Sequence, residues 1–424
     1  MRTLKTLRFT NNSLSQLPEG LGDDQILHTI DARNNKIENL SQPMDLRKLR
    51  LLEVLLLGGN QITLLPRVFE SNLYSLREID MSNNQIVGFL MPKSLTSIDV
   101  SSNPIHMPAD DTRGSMLIKI GDESHVRTMQ KLSLASLQME EIPAAVLKLR
   151  MLTELNLSNN HLTELPEELF KLRCLRVLYL QNNQLKTFAG ALEFLPKLQH
   201  LDLHENQITE FSADVTKLRS LGYLDFSKNS LASLPDDFGE LNQLVTLNLA
   251  DNELLTFPND KIDVLASLVT LDLTNNHVDT FPIDFPYLYR IEVVLARGND
   301  LTDLPKDIDK MRGLRKLDVA DNIIGALPEK LVKCPNIADV DCSNNKIMAF
   351  PKTFEKLRNM ANVEYGDQSQ YKSREARDRG ETPAAESPSS GRKGSPKGSA
   401  RKGSPKGSSR KGSPGSKKKK DTAA

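Results

Sequence analysis

The pattern L-x-x-L-x-L-x-x-N-x-L recurs sixteen times in this chain of 424 residues. Its Asn slot falls at Asn12, Asn35, Asn60, Asn84, Asn103, Leu137, Asn160, Asn183, Asn206, Asn229, Asn252, Asn276, Asn299, Asn322, Asn345 and Gln368. From Leu137 onward every step is 23 residues except one of 24, a phase that chance clustering of apolar residues cannot hold. Within each copy the geometry follows from spacing. Leu155 and Leu157 are two apart and share one face of a short strand, while Glu154, Asn156 and Ser158 take the other. Asn160 then turns the chain, and its amide can satisfy backbone groups that the turn would otherwise bury unpaired. The return leg through Leu165-Pro166, Leu169 and Leu172 carries Pro where a regular helix would break, which predicts irregular or 3-10 backbone there. One copy cannot cover its own apolar edges, so the copies must stack into a curved solenoid with a parallel concave sheet, an α/β class.

The spacing divides the chain into a first block of repeats at 1–103, an interrupting loop at 104–128, a second block at 129–368 and a tail at 369–424. Between Asn103 and Leu137 the step lengthens to 34 residues and the ladder amide is missing, so an interruption of the solenoid is expected. Pro104, Pro108, Asp110, Asp111, Gly114 and Gly121 surround the apolar run Met116–Ile120, consistent with a looped-out long repeat or with a hinge or docking loop. Leu4, Leu7 and Phe9 already fill strand positions with no polar cap before them, which predicts either truncation or pairing at that end. Met360, Val363, Tyr365 and Gln368 read as a degraded last strand.

The net charge of zero conceals a split. Residues 387–424 hold twelve Lys or Arg against Asp421 alone, a charge of +11, which leaves the other 386 residues at −11. The three cysteines, Cys174, Cys334 and Cys342, form no clusters, which points to a reducing compartment; Cys342 fills a leucine slot and reads as a small core residue. No charged and apolar leader segment and no run long enough to span a bilayer is evident, so a soluble cytoplasmic protein is expected. The sequons at Asn11 and Asn156 are then chance matches in Asn-rich repeats.

The fixed register names the centre positions of the concave face: Arg8, Asp31, Leu56, Asp80, Asp99, Ser133, Asn156, Tyr179, Asp202, Asp225, Asn248, Asp272, Leu295, Asp318, Asp341 and Glu364. Nine are acidic and one is basic, so the face should attract a basic partner, although Asp is also a frequent structural choice at this position. The distinctive cluster is Val177, Tyr179, His200, Asp202, His204, Tyr223 and Asp225, where aromatic rings stand beside charges as in an interface hot spot. Scattered exposed tyrosine is ordinary, so the cluster is a candidate only. His200, Asp202 and His204 alternate on one face, but without Cys or a fourth ligand they make a poor metal set, and neither metal nor cofactor is expected. Val54 with Leu56 and Val293 with Leu295 break the polar face with two apolar spots.

Beyond Gln368 the apolar period ends. A nine-residue repeat, Arg392-Lys393-Gly394-Ser395-Pro396 and its copies, gives way to Lys417–Lys420, a composition that cannot build a core and should be disordered. Ser395, Ser404 and Ser413 each have Arg three positions before and Pro one after, so each suits both basophilic and proline-directed kinases. Three phosphates would add about −5 to −6 charges, an electrostatic switch on a tail long enough to contact the acidic face of its own chain. The tail also suits nuclear import, or the binding of nucleic acid, microtubules or anionic membrane. A plain solubilising spacer is equally compatible with it.

The 23-residue turn with Leu-Pro after the Asn slot (Leu17-Pro18, Leu65-Pro66, Leu165-Pro166, Leu234-Pro235, Leu304-Pro305, Leu327-Pro328) resembles the typical class of intracellular leucine-rich repeat proteins, such as the Scribble and Erbin group and the SHOC-type Ras-pathway scaffold. The break after Asn103-Pro104-Ile105 is similar to that of leucine-rich repeat-containing protein 40. The resemblance covers residues 1–368 and implies a non-catalytic scaffold that binds a protein partner, with tethering to nucleic acid or cytoskeleton through the tail as the alternative. No Gly-rich phosphate loop, nucleophile elbow or zinc-protease helix occurs, and His204-Glu205 lacks a second histidine, so no enzyme is expected. Oligomeric state is left open by the sequence.

Overall fold

The computed structural model describes residues 4–366, apart from residues 22–25, 41–47, 65–72, 91–93, 106–117, 120–126 and 258–261 and a few single positions. One compact unit spans Met1–Lys372. Its concave wall is a sheet of sixteen parallel strands in sequence order. Each strand is three residues long, from Thr6–Arg8 at one end to Asn362–Glu364 at the other. They are short because only the x-L-x around the central leucine slot is extended before the Asn turn. Pairing is in register throughout: Leu155 faces Leu178, Leu178 faces Leu201 and Leu201 faces Leu224. The centre leucines are fully buried, and the flanking residues stand out from the sheet.

Behind each strand the ladder amide works in both directions. Asn322 Nδ2 donates to Ala296 O on the preceding turn at 2.8 Å and to Val319 O on its own at 3.1 Å, while its Oδ1 accepts from Leu301 N at 3.0 Å. The same three bonds recur at the ladder amides from Asn35 to Asn345, tying neighbouring turns together along a row that is buried except at half-buried Asn206 and Asn229. The residue before each ladder position is in the left-handed region, from Asn11 (φ 58°) through Lys228 (φ 55°) to Asn344 (φ 51°). Asn suits that conformation, and Gly298 (φ 70°) shows the constraint: a Cβ there would lie 2.5 Å from Asn275 Oδ1.

The return leg is built as the prolines predict. Pro166, Pro235 and Pro328 sit in extended backbone with φ between −67° and −69°, immediately before the 3-10 turns Glu167–Lys171, Asp236–Glu240 and Glu329–Lys333. Each packs against the 3-10 turn of an adjacent repeat, as Ala213–Lys217 does on Asp236–Glu240 and Ile308–Lys310 on Glu329–Lys333, to make the opposite layer. A spine of phenylalanines, Phe188, Phe211, Phe226 and Phe238, fills the space between layers with ring centroids 4.9–6.2 Å apart. One α-helix is present among the described residues, Phe354–Met360, and it closes the last turns with Phe350, Phe354 and Tyr365 in mutual ring contact. Met360 therefore ends a helix instead of starting the last strand, which is Asn362–Glu364.

The expected interruption at 104–128 does not reach the sheet. Strand Ser97–Asp99 pairs in register with Lys131–Ser133, Ile98 facing Leu132. The extra residues follow Asn103, after the strand has ended, so they lengthen only the return leg. Within them Ile118–Lys119 pairs in parallel with Phe89–Leu90, making a second sheet of two strands. Leu137 is buried, yet it cannot accept from Ile105 N as an amide would; the ladder is maintained on either side by Asn103 and Asn160, the latter accepting from both Leu137 N and Met139 N at 3.0 Å. Most of residues 104–128, the ladder position Gln368 and the whole of 373–424, with Ser395, Ser404 and Ser413, lie outside the described residues.

Candidate functional site

The seven concave residues singled out by the sequence come from three adjacent strands, Val177–Tyr179, His200–Asp202 and Tyr223–Asp225, and the residues just beyond them. Register sets them in rows: Val177, His200 and Tyr223 in one, Tyr179, Asp202 and Asp225 in the next. His200 stacks flat on Tyr223 with ring centroids 4.1 Å apart and planes 5° apart. Tyr179 meets the other side of His200 edge-on at 5.1 Å and 61°. The result is a half-buried platform of three rings crossing three strands. Each such ring pair adds roughly 0.5–1.5 kcal/mol beyond its area burial, which favours this stacked arrangement of the three side chains.

Burial pushes the His200 imidazole below its ordinary pKa, against the opposing pull of Asp202, Asp225 and Glu154. Burial and the neighbouring carboxylates push the phenols of Tyr179 and Tyr223 up. All three rings are therefore neutral near pH 7, and their faces carry the negative potential of an aromatic quadrupole.

Asp202 and Asp225 differ from expectation. Both are only 7% exposed, and both oxygens of Asp225 and Oδ1 of Asp202 are already engaged. Asp225 Oδ1 accepts from Ser227 N and Oγ at 2.9 and 2.7 Å, and Oδ2 accepts from Asn248 Nδ2 at 2.8 Å and from the Tyr223 hydroxyl at 3.2 Å. Asp202 Oδ1 accepts from His204 N at 3.1 Å and lies 2.7 Å from His204 Nδ1, which assigns the Nδ1 hydrogen to that bond. Asp225 thus anchors the Tyr223 hydroxyl and Asp202 holds His204, two buried carboxylates beside the rings; the half-exposed surface of the platform is ring and imidazole. The ligand atoms that converge within 4.8 Å belong to Asp202, His204 and Asp225, not to the His200 set suggested by alternation, because His200 is taken up by the tyrosines.

The wider acidic row has the same structural use. Oδ1 of Asp80, Asp99, Asp272, Asp318 and Asp341 accepts the backbone N–H two residues on at 2.9–3.1 Å, closing the turn out of the strand. Arg297 further neutralises one end, reaching Asp321 and Asp341 at 2.6 Å and Asp318 at 3.4 Å. Beside it a concavity of about 290 Å³ opens on the face, lined by Lys316, Asp339 and Glu364 together with Asp318 and Asp341. Val54, Leu56, Val293 and Leu295 are half-buried on the same face. A second rung was not anticipated: the left-handed residues bond sideways, Asn182 to Asn159 at 2.7 Å, Lys228 to Glu205 at 3.0 Å and Asn344 to Asp321 at 2.9 Å. The repeated Asn-Asn doublets were its sequence signal.

Residues 127–185, 150–208, 196–254 and 219–278 match the leucine rich repeat family model, and the sixteen-strand sheet carries the same unit to both ends. Residues 127–278 are thus leucine-rich repeats, and the array as a whole has the leucine-rich repeat fold. No curated protein sequence matches it significantly. Among solved structures it is similar to a leucine-rich repeat protein of Leptospira interrogans, at 26% identity and a TM-score of 0.74 over 89% of this chain and 93% of that one. It is also similar in fold to the plant peptide hormone receptor RGFR1 in complex with RGF2 (22% identity, TM-score 0.62, 81% of this chain, 56% of the receptor). A third such structure is the internalin InlF of Listeria monocytogenes (19%, 0.57, 80% and 86%). Leucine-rich repeat arrays in general mediate protein–protein interaction. No helix among the described residues of this one is long and apolar enough to cross a membrane.

Proposed function

We propose that this leucine-rich repeat protein is a non-catalytic scaffold whose concave face captures a protein partner at Tyr179, His200 and Tyr223. The observation that carries the reading is the stacked ring platform across three strands with two buried carboxylates beside it. Neutral ring faces beside fixed negative charge favour an arginine or lysine side chain of the partner, worth roughly 0.5–2 kcal/mol per contact depending on desolvation. The Leu-Pro return legs, which resemble those of the Scribble, Erbin and SHOC-type scaffolds, agree with the same role. Three free cysteines suit the cytoplasm or nucleus. In this reading the basic tail competes for the acidic array, and phosphorylation at Ser395, Ser404 and Ser413 releases it.

Affinity capture with mass spectrometry tests the proposal, comparing the full chain, residues 1–368, and that truncation with Tyr179, His200, His204 and Tyr223 changed to Ala. Partners kept by the truncation and lost on the quadruple change support it. Partners lost with the tail alone place the function on the basic repeats, in favour of a nucleic-acid or cytoskeletal tether.

A further inference from the structure

The return-leg side of the array carries a groove of about 950 Å³ where the sixth and seventh repeats meet. Its floor is apolar: Ile142 and Leu147 are nearly covered, while Met151 is 44% exposed. Its rim is basic. Arg127, Lys148, Arg150 and Lys171 line it, against the single acid Glu168. All four cations are exposed, and none has a carboxylate within ion-pair distance among the described residues.

The repeat itself explains this concentration. Arg127 and Arg150 occupy one slot, ten residues before the ladder position, on successive turns; Lys148 and Lys171 occupy another. Stacking therefore places like charges on neighbouring turns, an arrangement that costs free energy in the isolated chain. Elsewhere the array relieves the same slots with acids. Arg219 pairs with Glu240 at 3.2 Å, Lys310 with Asp307 at 2.9 Å and Arg358 with Glu355 at 3.2 Å. At this groove four cations surround exposed apolar surface without such relief among the described residues.

We infer that this groove is a second docking site, for an acidic amphipathic segment of another protein in which Asp or Glu alternates with large apolar side chains. Charge complementarity fixes the sign of the occupant, and the floor fixes its class. A polyphosphate backbone would satisfy the rim and leave Met151, Ile142 and Leu147 without a partner, whereas an amphipathic peptide covers both. The site faces away from the concave platform and stands independently of the reading given for it.

Fluorescence anisotropy with a labelled synthetic peptide of alternating Glu and Leu tests the inference, using the full chain at about 0.15 M salt, where charges several ångströms apart still interact. The basic tail contributes equally to every variant compared. Lys148→Glu/Arg150→Glu/Lys171→Glu should weaken binding about tenfold or more, and Met151→Ser about fivefold with its salt dependence unchanged. Arg312→Glu, at the same slot of a distant repeat, should have no such effect. The inference is overturned if the triple variant binds the peptide as the parent does, if Met151→Ser has no effect, or if a duplex oligonucleotide binds the groove with equal sensitivity to both variants. The substituted side chains are exposed or half-exposed, and an unchanged thermal midpoint confirms that each variant is folded.

Discussion

Replacing one interior ladder amide should cost less than its hydrogen-bond count suggests. Asn322→Leu keeps the branched side-chain shape and heavy-atom count but removes three donated bonds and one accepted bond. The three carbonyls are not orphaned. Ala296 O still accepts from Asn299 Nδ2 at 3.1 Å, Val319 O from Asn345 Nδ2 at 2.9 Å, and Ala320 O from Gly298 N at 3.0 Å. Leu301 N, by contrast, is bonded to Asn322 Oδ1 at 3.0 Å and loses its acceptor. The cost is then one buried unsatisfied N–H, about 1–3 kcal/mol, plus smaller losses at carbonyls that keep one partner, for a total of about 2–4 kcal/mol instead of four full bonds. Leu137, which stands at the same slot in the native chain, shows that the array tolerates this arrangement. Urea denaturation gives the stability change, and native-state hydrogen exchange locates it, because repeat arrays open locally. The Leu301 amide should lose protection while Ile324 N, bonded to Asn345, keeps it. A loss below about 1 kcal/mol, or unchanged protection at Leu301, would refute the shared-acceptor argument.

Three further outcomes are expected. His200 has its pKa depressed by burial, so between the ordinary value of 6.5 and the lower folded value the unfolded chain binds a proton that the folded chain does not. Its contribution is complete above 6.5 and is lost as pH falls through the folded pKa; His200→Phe should therefore gain stability relative to the parent on going from about pH 7.5 to 5, and a constant difference in denaturation midpoint would contradict this. Burial raises the thiols of Cys334 and Cys342 to about 11 and about 12, so alkylation at mildly alkaline pH, read by peptide mass, should modify half-buried Cys174 first; early labelling of Cys342 would show that its turn opens. Arg297→Met should destabilise by about 1 kcal/mol or less, since the guanidinium is 39% exposed and screened, and the loss should shrink in high salt as screening also weakens repulsion among Asp318, Asp321 and Asp341.

Much of the fold was legible in the sequence because period and chemistry agree at every turn. The L-x-L spacing set strand faces, the Asn slot set the ladder, and Leu-Pro set the start of the 3-10 turns, so the sixteen strands and their centre residues lie where the pattern puts them. Near the candidate site the sequence named the residues but not their roles. Tyr179, His200 and Tyr223 could be placed on one face by alternation alone. That His200 is sandwiched, and that Asp202 and Asp225 turn inward to close the bend behind each strand, depends on side-chain torsions that spacing does not specify. The insertion after Asn103 looked like a break because length was visible and its placement outside the sheet was not.

By itself, then, the sequence determined the repeating unit, its parallel stacking and the charge contrast between array and tail, all consequences of local period. The tertiary structure decided which polar groups remain available. An Asp that is acidic on paper becomes a backbone cap when the turn brings an N–H to it. Cations that look dispersed along the chain become a basic rim when stacking brings repeats separated by 23 residues side by side. Such contacts join residues far apart in sequence, and only the folded array sets them next to each other.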